Sequence, residues 1–86
     1  MFFHMNLARK ENYSHGGVAY EIAIYRAEED GHLRGYVSSG GFSDRVLEMA
    51  GDVAYDMKTT TGADPLAVAV AALKDEIDAG KFDAGV

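Results

Sequence analysis

The chain has 86 residues, a formal net charge of −6 at neutral pH and no cysteine. A chain of this length builds one domain with a modest core, because small domains remove only about 60% of their unfolded surface from water. The missing cysteines exclude disulfides and thiolate zinc sites, the acidic balance disfavours direct binding to nucleic acid, and no apolar stretch approaches the ~20 residues of a membrane span. We therefore expect one cytoplasmic domain over residues 1–86.

Apolar and polar residues alternate along the first half of the chain with the period of two that is typical of strands. The alternation marks a short first strand over residues 2–7 and is clearest over residues 18–27. An acidic turn follows at residues 28–31, in which the final glycine suits a positive φ, and residues 32–38 return as a third strand. These elements predict a three-stranded antiparallel meander.

The second half of the chain has helical periodicity. When residues 43–58 are placed at 100° intervals, the apolar side chains fall between roughly −60° and +80° and the acids between roughly 160° and 280°. The pattern predicts a helix with Ser43 as its N-cap. Asp64 and Pro65 are typical of the start of a second helix, and Gly80 of its end. The predicted fold is α+β, with the order β-β-β-α-α and both helices on one face of the sheet.

An acidic stripe on the first predicted helix is the candidate partner-binding surface. Its members share one side of the helix, with an aromatic ring among them: Asp44, Glu48, Asp52, Tyr55 and Asp56. Repulsion between acids four residues apart costs about 0.2 to 0.5 kcal/mol per pair, which the burial of the apolar arc outweighs at roughly 1.5 to 3 kcal/mol per side chain. The stripe is either an interface for a cationic partner or a solvated face that keeps the protein soluble.

Other candidate sites lack the spacing that their chemistry requires. The three histidines, His4, His15 and His32, are too far apart in sequence to predict a metal site. The glycine-rich segment at residues 40–43 has no lysine and no phosphate-loop pattern, and the acids at residues 28–30 lack the spacing of a calcium loop. Ser14 and His15 are sequence neighbours without a nucleophile motif. We predict neither an enzyme nor a bound cofactor or metal.

The order of hairpin, glycine-serine loop, acidic helix and alanine-rich helix resembles the layout of some small phage anti-CRISPR proteins. It is carried by YEIAIYRAEEDGHLRGYV, SDRVLEMAGDVAYDM and ADPLAVAVAALKDEI, which cover most of the chain. The resemblance implies a non-enzymatic inhibitor that occupies a basic, nucleic-acid-binding surface of a CRISPR effector subunit. It transfers no functional residue by motif.

Two functions of different classes follow from these features. The first is an acidic protein-binding module, an inhibitor from a phage or another mobile element, which uses the acidic stripe against a basic protein surface. The alternative is a structural homo-oligomer with a solvated acidic stripe. Its copies would meet through Val68 on the second helix, or through the sheet face that carries Ala19, Ala23 and Tyr25.

Overall fold

Among the residues that the structure describes, four strands form one antiparallel sheet in which neighbours in sequence are neighbours in space. The strands are β1 (Met5–His15), β2 (Val18–Ala27), β3 (Leu33–Ser39) and β4 (Phe42–Met49). This computed structural model describes residues 5–40 and 42–82, and it does not describe the side chains at positions 42, 45 and 46. The sheet and the helices that follow it confirm the predicted α+β class, but the meander has four strands instead of three.

The helical part of the chain begins after β4. Helix α1 (Gly51–Asp56) runs directly into a π-helical segment (Met57–Thr61) that ends at Gly62, and α2 (Pro65–Asp78) follows. The predicted start of α2 is confirmed, since the Asp64 carboxylate accepts a hydrogen bond from the Leu66 amide at 3.1 Å. Its predicted end is confirmed as well, because the helix stops at Asp78 and Gly80 has a φ of +81°.

The prediction of a helix over residues 43–58 is wrong for its first half, which is strand β4. Tyr36 of β3 pairs with Arg45 and Gly35 pairs with Leu47, so that position 46 is an extra residue in the ladder. Such a bulge shifts the strand's alternation by one residue. The apolar residues before and after position 46 therefore do not follow one common period of two. They fit the helical period of 3.6 instead. Helical structure begins only at Gly51.

The first strand is longer than predicted, because it extends to His15 instead of ending at residue 7. Its register with β2 also shifts between Leu7 and Arg9, and beyond that point its residues are mostly polar. Polar residues are common on an edge strand, where one side of the ladder faces water. The predicted residues 2–4 of this strand and the predicted tail at residues 83–86 lie outside the described residues.

The core lies between α2 and one face of the sheet. We call this the covered face. Its fully buried side chains come from β2, β3 and α2, and include Ile22, Ile24, Leu33, Val37, Leu73 and Ile77. Gly35 belongs to this face because a Cβ there would lie 2.9 Å from Cδ1 of Leu73 and 3.3 Å from Cδ1 of Ile24. The missing side chain therefore lets the helix approach the sheet closely.

The opposite side of the sheet, which we call the open face, has no second layer among the described residues. Along β2 and β3 it carries Glu21, Ala23, Tyr25, Arg34, Tyr36 and Ser38, the residues that alternate with the core positions. The rings of Tyr25 and Tyr36 meet edge to face, with centroids 5.6 Å apart. An antiparallel sheet can keep one face towards water in this way.

Candidate binding surface at the acidic end

The structure distributes the predicted acidic stripe over two elements. Asp44 and Glu48 lie on β4, whereas Asp52, Tyr55 and Asp56 lie on α1. Asp44 pairs with Val37 of the covered face and Glu48 pairs with Arg34 of the open face. The two acids therefore lie on opposite sides of the sheet and roughly 13 Å apart along the strand. The predicted stripe on a single helix does not form, and Asp44 is separated from the other four residues.

Glu48 takes part in a network of polar contacts at the edge of the open face. Its Oε1 lies 2.9 Å from Nε2 of His32 and 3.5 Å from Nη2 of Arg34. These contacts tie the end of β4 to the start of β3. Glu48 is thus mainly engaged within the protein, which distinguishes it from the acids of α1.

A close approach of two backbones brings a second group of acids to α1. A side chain at Gly51 would overlap the carbonyl group of Asp30, so only glycine lets the turn between β2 and β3 pack against the start of α1. The turn carries three exposed acids at residues 28–30, and α1 adds Asp52 and Asp56, which are also exposed. We call the surface formed by residues 28–30 and α1 the acidic end.

Helix α1 presents apolar surface among these acids. The Tyr55 side chain is 68% exposed and Val53 is 50% exposed, while Ala54 faces inward and is 9% exposed. The six-residue helix has only one small buried side chain with which to hold its position. It places its large apolar side chains in solvent, which is the reverse of the arrangement that packing alone would favour.

The π-helical segment after α1 is stabilised by its threonines. The Thr59 hydroxyl donates to the Tyr55 carbonyl at 2.9 Å, and the Thr61 hydroxyl donates to the Met57 carbonyl at 2.6 Å. Side-chain hydroxyls that bond a carbonyl four residues earlier occupy groups that a regular helix would use for its own ladder. The segment then ends at Gly62, whose φ of +74° turns the chain towards α2.

A cleft of about 650 Å³ lies beside the acidic end, between α1, the turn after β2 and the start of α2. Its walls carry the cations Arg26 and Lys58, the acids Asp30 and Asp64, and the ring of Tyr55. Asp64 also contacts Arg9, with 3.4 Å between Oδ2 and Nη2. Because the cleft carries charges of both signs, the continuous negative surface is confined to the exposed turn at residues 28–30 and to α1.

Elsewhere, side chains with potential for catalysis are held in structural contacts. The Tyr13 hydroxyl donates to Oδ1 of Asp78 at 2.6 Å, and Nδ1 of His15 lies 3.3 Å from the same oxygen. The hydrogen bond to Asp78, followed by desolvation and the charges of Asp78 and Asp75, raises the pKa of the Tyr13 phenol. Ser14 alternates with His15 on β1 and so lies on the other face of the sheet.

Further searches of the described residues concern metals and membranes. Within residues 5–40 and 42–82, no group of three or more histidine, aspartate or glutamate side chains is arranged to hold a metal ion. No helix in the same ranges combines the length and apolar character needed to cross a bilayer. Comparisons with protein-family models, with curated proteins and with solved structures find no match to this chain.

Sequence reasoning found three residues of the acidic end, Asp52, Tyr55 and Asp56, and missed the contribution of the turn. Glu28, Glu29 and Asp30 were visible as an acid-rich turn, but their distance from α1 along the chain hid the contact. The one available signal was Gly51, which costs up to about 1 kcal/mol within a helix relative to alanine and so indicates a close approach by another backbone. The sequence does not say which backbone approaches.

Proposed function

We propose that the protein is a small acidic protein-binding module that docks its acidic end against a basic surface of another protein. The observation that carries this proposal is the exposure of Tyr55 at 68% and Val53 at 50% among five exposed acids. Interfaces combine apolar or aromatic anchors at their centre with a polar rim, and tyrosine is enriched among the residues that dominate binding energy. Acids around such an anchor favour a cationic partner.

The arrangement supports recognition by charge as well as by contact. Five carboxylates on two adjoining segments create a negative potential that accelerates encounter with a basic surface. The ring of Tyr55 then supplies contact area at a low cost in conformational entropy, because its side chain has few rotatable bonds. The acids select the partner and the ring holds it.

The resemblance to phage anti-CRISPR proteins indicates the class of partner within this proposal. A CRISPR effector holds nucleic acid in a positively charged channel, which binds largely through phosphate charges. An acidic module that occupies part of that channel competes with nucleic acid for the same cations. The proposed activity is therefore inhibition by occupation, without a chemical step.

Inhibition of purified effectors tests the proposal directly. We expect the protein to prevent target-DNA binding by one type of RNA-guided effector, and its affinity for the basic subunit of that effector to fall when salt rises from about 0.1 M to about 1 M, as the Debye length shortens from roughly 10 Å to roughly 3 Å. Inhibition of no effector type would reject the inhibitor function. An affinity that does not change with salt would reject the electrostatic mechanism.

Charge-reversal variants locate the surface. Asp52→Lys combined with Asp56→Lys, and separately Tyr55→Ala, are each expected to weaken the complex by about tenfold or more. Asp44→Lys is the matched control for the single reversal Asp52→Lys, which changes the charge by the same two units, because Asp44 is an exposed acid of the same predicted stripe that the structure places away from the acidic end. Equal losses in Asp44→Lys and Asp52→Lys would show that only total charge matters.

A further inference from the structure

The cleft beside the acidic end has the size and the lining of a site for a small ligand. Its volume of about 650 Å³ lies within the range of roughly 300 to 1,000 Å³ that is typical of ligand pockets. Its apolar lining includes Leu33, Pro65 and Leu66, and Tyr55 adds an aromatic ring. The function proposed above uses Tyr55 but assigns no role to the cleft itself.

The cleft contains the two basic side chains that have no partner among the residues that the structure describes. Arg26 reaches it from the end of β2 and Lys58 from the π-helical segment. Neither side chain makes a hydrogen bond or an ion pair with a described residue. The other lysines and arginines with described side chains each lie within 3.5 Å of a carboxylate: Arg9, Lys10, Arg34, Lys74 and Lys81. The charges left available to a ligand therefore lie together in one cleft.

The two acids in the lining are engaged by other groups of the chain. Oδ1 of Asp64 accepts a hydrogen bond from the Leu66 amide at 3.1 Å, and its Oδ2 lies 3.4 Å from Nη2 of Arg9. Oδ1 of Asp30 accepts a hydrogen bond from the His32 amide at 2.9 Å. When Arg9 is counted with its partner, three cations and two carboxylates meet at the cleft. The lining is therefore positive, although the whole chain has a net charge of −6.

The acidic end limits the kind of anion that can enter the cleft. Its other acids, at positions 28, 29, 52 and 56, are exposed on the same turn and helix but are not among the lining residues. Their repulsion acts through water and is screened over about 8 Å at physiological ionic strength, whereas a ligand in the cleft contacts the cations directly. A polyanion such as a nucleic acid would extend across these acids and be repelled. The cleft therefore fits a compact anion, and its apolar lining favours one that carries an apolar body.

We propose that the cleft binds a small organic anion, which is a carboxylate or a phosphate on an aromatic or aliphatic body. The anionic group is held by charge-assisted hydrogen bonds from Arg26 and Lys58, and such bonds are about twice as strong as those between neutral groups. The apolar body packs against Leu66 and the ring of Tyr55. Ligand binding in the cleft goes beyond the proposed function and does not depend on it.

Titration of the whole chain with four small probes, followed by its amide resonances, tests the proposal. Phenyl phosphate and benzoate carry an anion and a ring, inorganic phosphate carries only the anion, and benzyl alcohol carries only the ring. We expect phenyl phosphate or benzoate to saturate the cleft with a Kd of about 1 mM or lower, and the other two probes to bind at least tenfold more weakly. The tighter of the two ring-bearing anions identifies the anionic group. Saturation by neither of them up to about 20 mM, or equal binding of benzyl alcohol or inorganic phosphate, would overturn the proposal.

Substitutions that remove one positive charge assign the binding to the cleft. Arg26→Gln and Lys58→Gln change exposed side chains, so both variants should fold, and each is expected to weaken binding of the tighter probe at least fivefold. Arg26→Lys should restore part of the loss, because lysine keeps the charge without the planar guanidinium. Lys10→Gln is the matched control, because Lys10 is an exposed cation of β1 that does not line the cleft. An equal loss in Lys10→Gln, or full binding by the double variant Arg26→Gln and Lys58→Gln, would contradict the assignment.

The same variants separate the cleft from the acidic end. Arg26 and Lys58 lie outside residues 28–30 and α1, so their replacement by glutamine leaves every acid of the acidic end in place. These variants should therefore keep their affinity for a basic partner. The combined variant Asp52→Lys and Asp56→Lys should lose that partner and bind the tighter probe at least as well as the wild type, because it removes repulsion around the cleft. Failure of one proposal is therefore distinguishable from failure of the other.

Discussion

On the covered face of the sheet, the side chains of Ile22 and Ile24 are at most 1% exposed, as is that of Leu73, which packs on this face from α2. On the open face, Tyr25 and Tyr36 are half-buried, and no second layer of described residues lies over them. Both faces come from the same strands, and residues one position apart belong to different environments. The covered face consists mainly of aliphatic side chains, with the buried ring of Tyr20 among them, and packs against α2. The open face combines aromatic rings, small side chains and paired charges. Stability therefore depends mainly on the covered face, and the open face remains available for other contacts.

Removing a side chain from the covered face should have the largest effect. Leu73→Ala deletes a side chain that is 1% exposed at the centre of α2. Its Cδ1 atom occupies the space that a side chain at position 35 would need. We expect the free energy of unfolding to fall by about 2 to 5 kcal/mol, because transfer and cavity costs add. Chemical denaturation followed by circular dichroism measures the loss.

The matched control lies on the same helix. Val68 is 38% exposed on the other side of α2, so Val68→Ala should change the free energy of unfolding by less than about 0.5 kcal/mol. Comparable losses at positions 68 and 73 would mean that the helix does not bury the face described for it.

The tyrosine pair measures how much the open face contributes to stability. Tyr25→Ala, Tyr36→Ala and the double variant form a cycle whose coupling energy we expect to be about 0.5 to 1.5 kcal/mol, as for other edge-to-face aromatic pairs. If the coupling energy were as large as that between two buried side chains of the covered face, the two faces would not differ in their contribution to stability.

Alkaline titration tests the rim of the covered face and should give the smallest effect. The hydrogen bond to Asp78 raises the pKa of Tyr13, so the folded state favours the protonated phenol. The stabilising contribution is complete below the pKa of the unfolded chain and is lost as pH rises through the higher folded value. We expect wild-type stability to fall more than that of Tyr13→Phe as pH rises above about 10, the ordinary pKa of a tyrosine. Parallel curves for the two proteins would contradict this account.

Alternation and capping residues in the sequence predict those elements whose apolar pattern is not broken by an irregularity such as a bulge. The sequence predicts strand β2 at its observed bounds, Val18–Ala27, because its apolar residues alternate without a break. Helix α2 was placed correctly because Asp64, Pro65 and Gly80 act within one turn of its ends. Both predictions depended on interactions between residues close in sequence.

The predictions that failed depended on partners far along the chain. Strand β4 was assigned to a helix because the extra residue at position 46 disrupts alternation, and only the pairing with β3 shows that a strand persists through it. The acidic end depends on the contact of Gly51 with Asp30, which are twenty-one positions apart. The sequence supplied the acids and the exposed Tyr55, while tertiary structure decided which of them are neighbours.

The sequential order of the four strands has a consequence for how the chain folds. Each strand pairs with the one before it, so every ladder of the sheet closes through a short connection, and such local pairing forms rapidly. Helix α2 is the element that contacts all four strands, and it follows them in the chain. Until α2 docks, the hairpins expose Ile22 and Ile24 to water and are only marginally stable. Docking of the last helix is therefore expected to be the non-local step that makes folding cooperative.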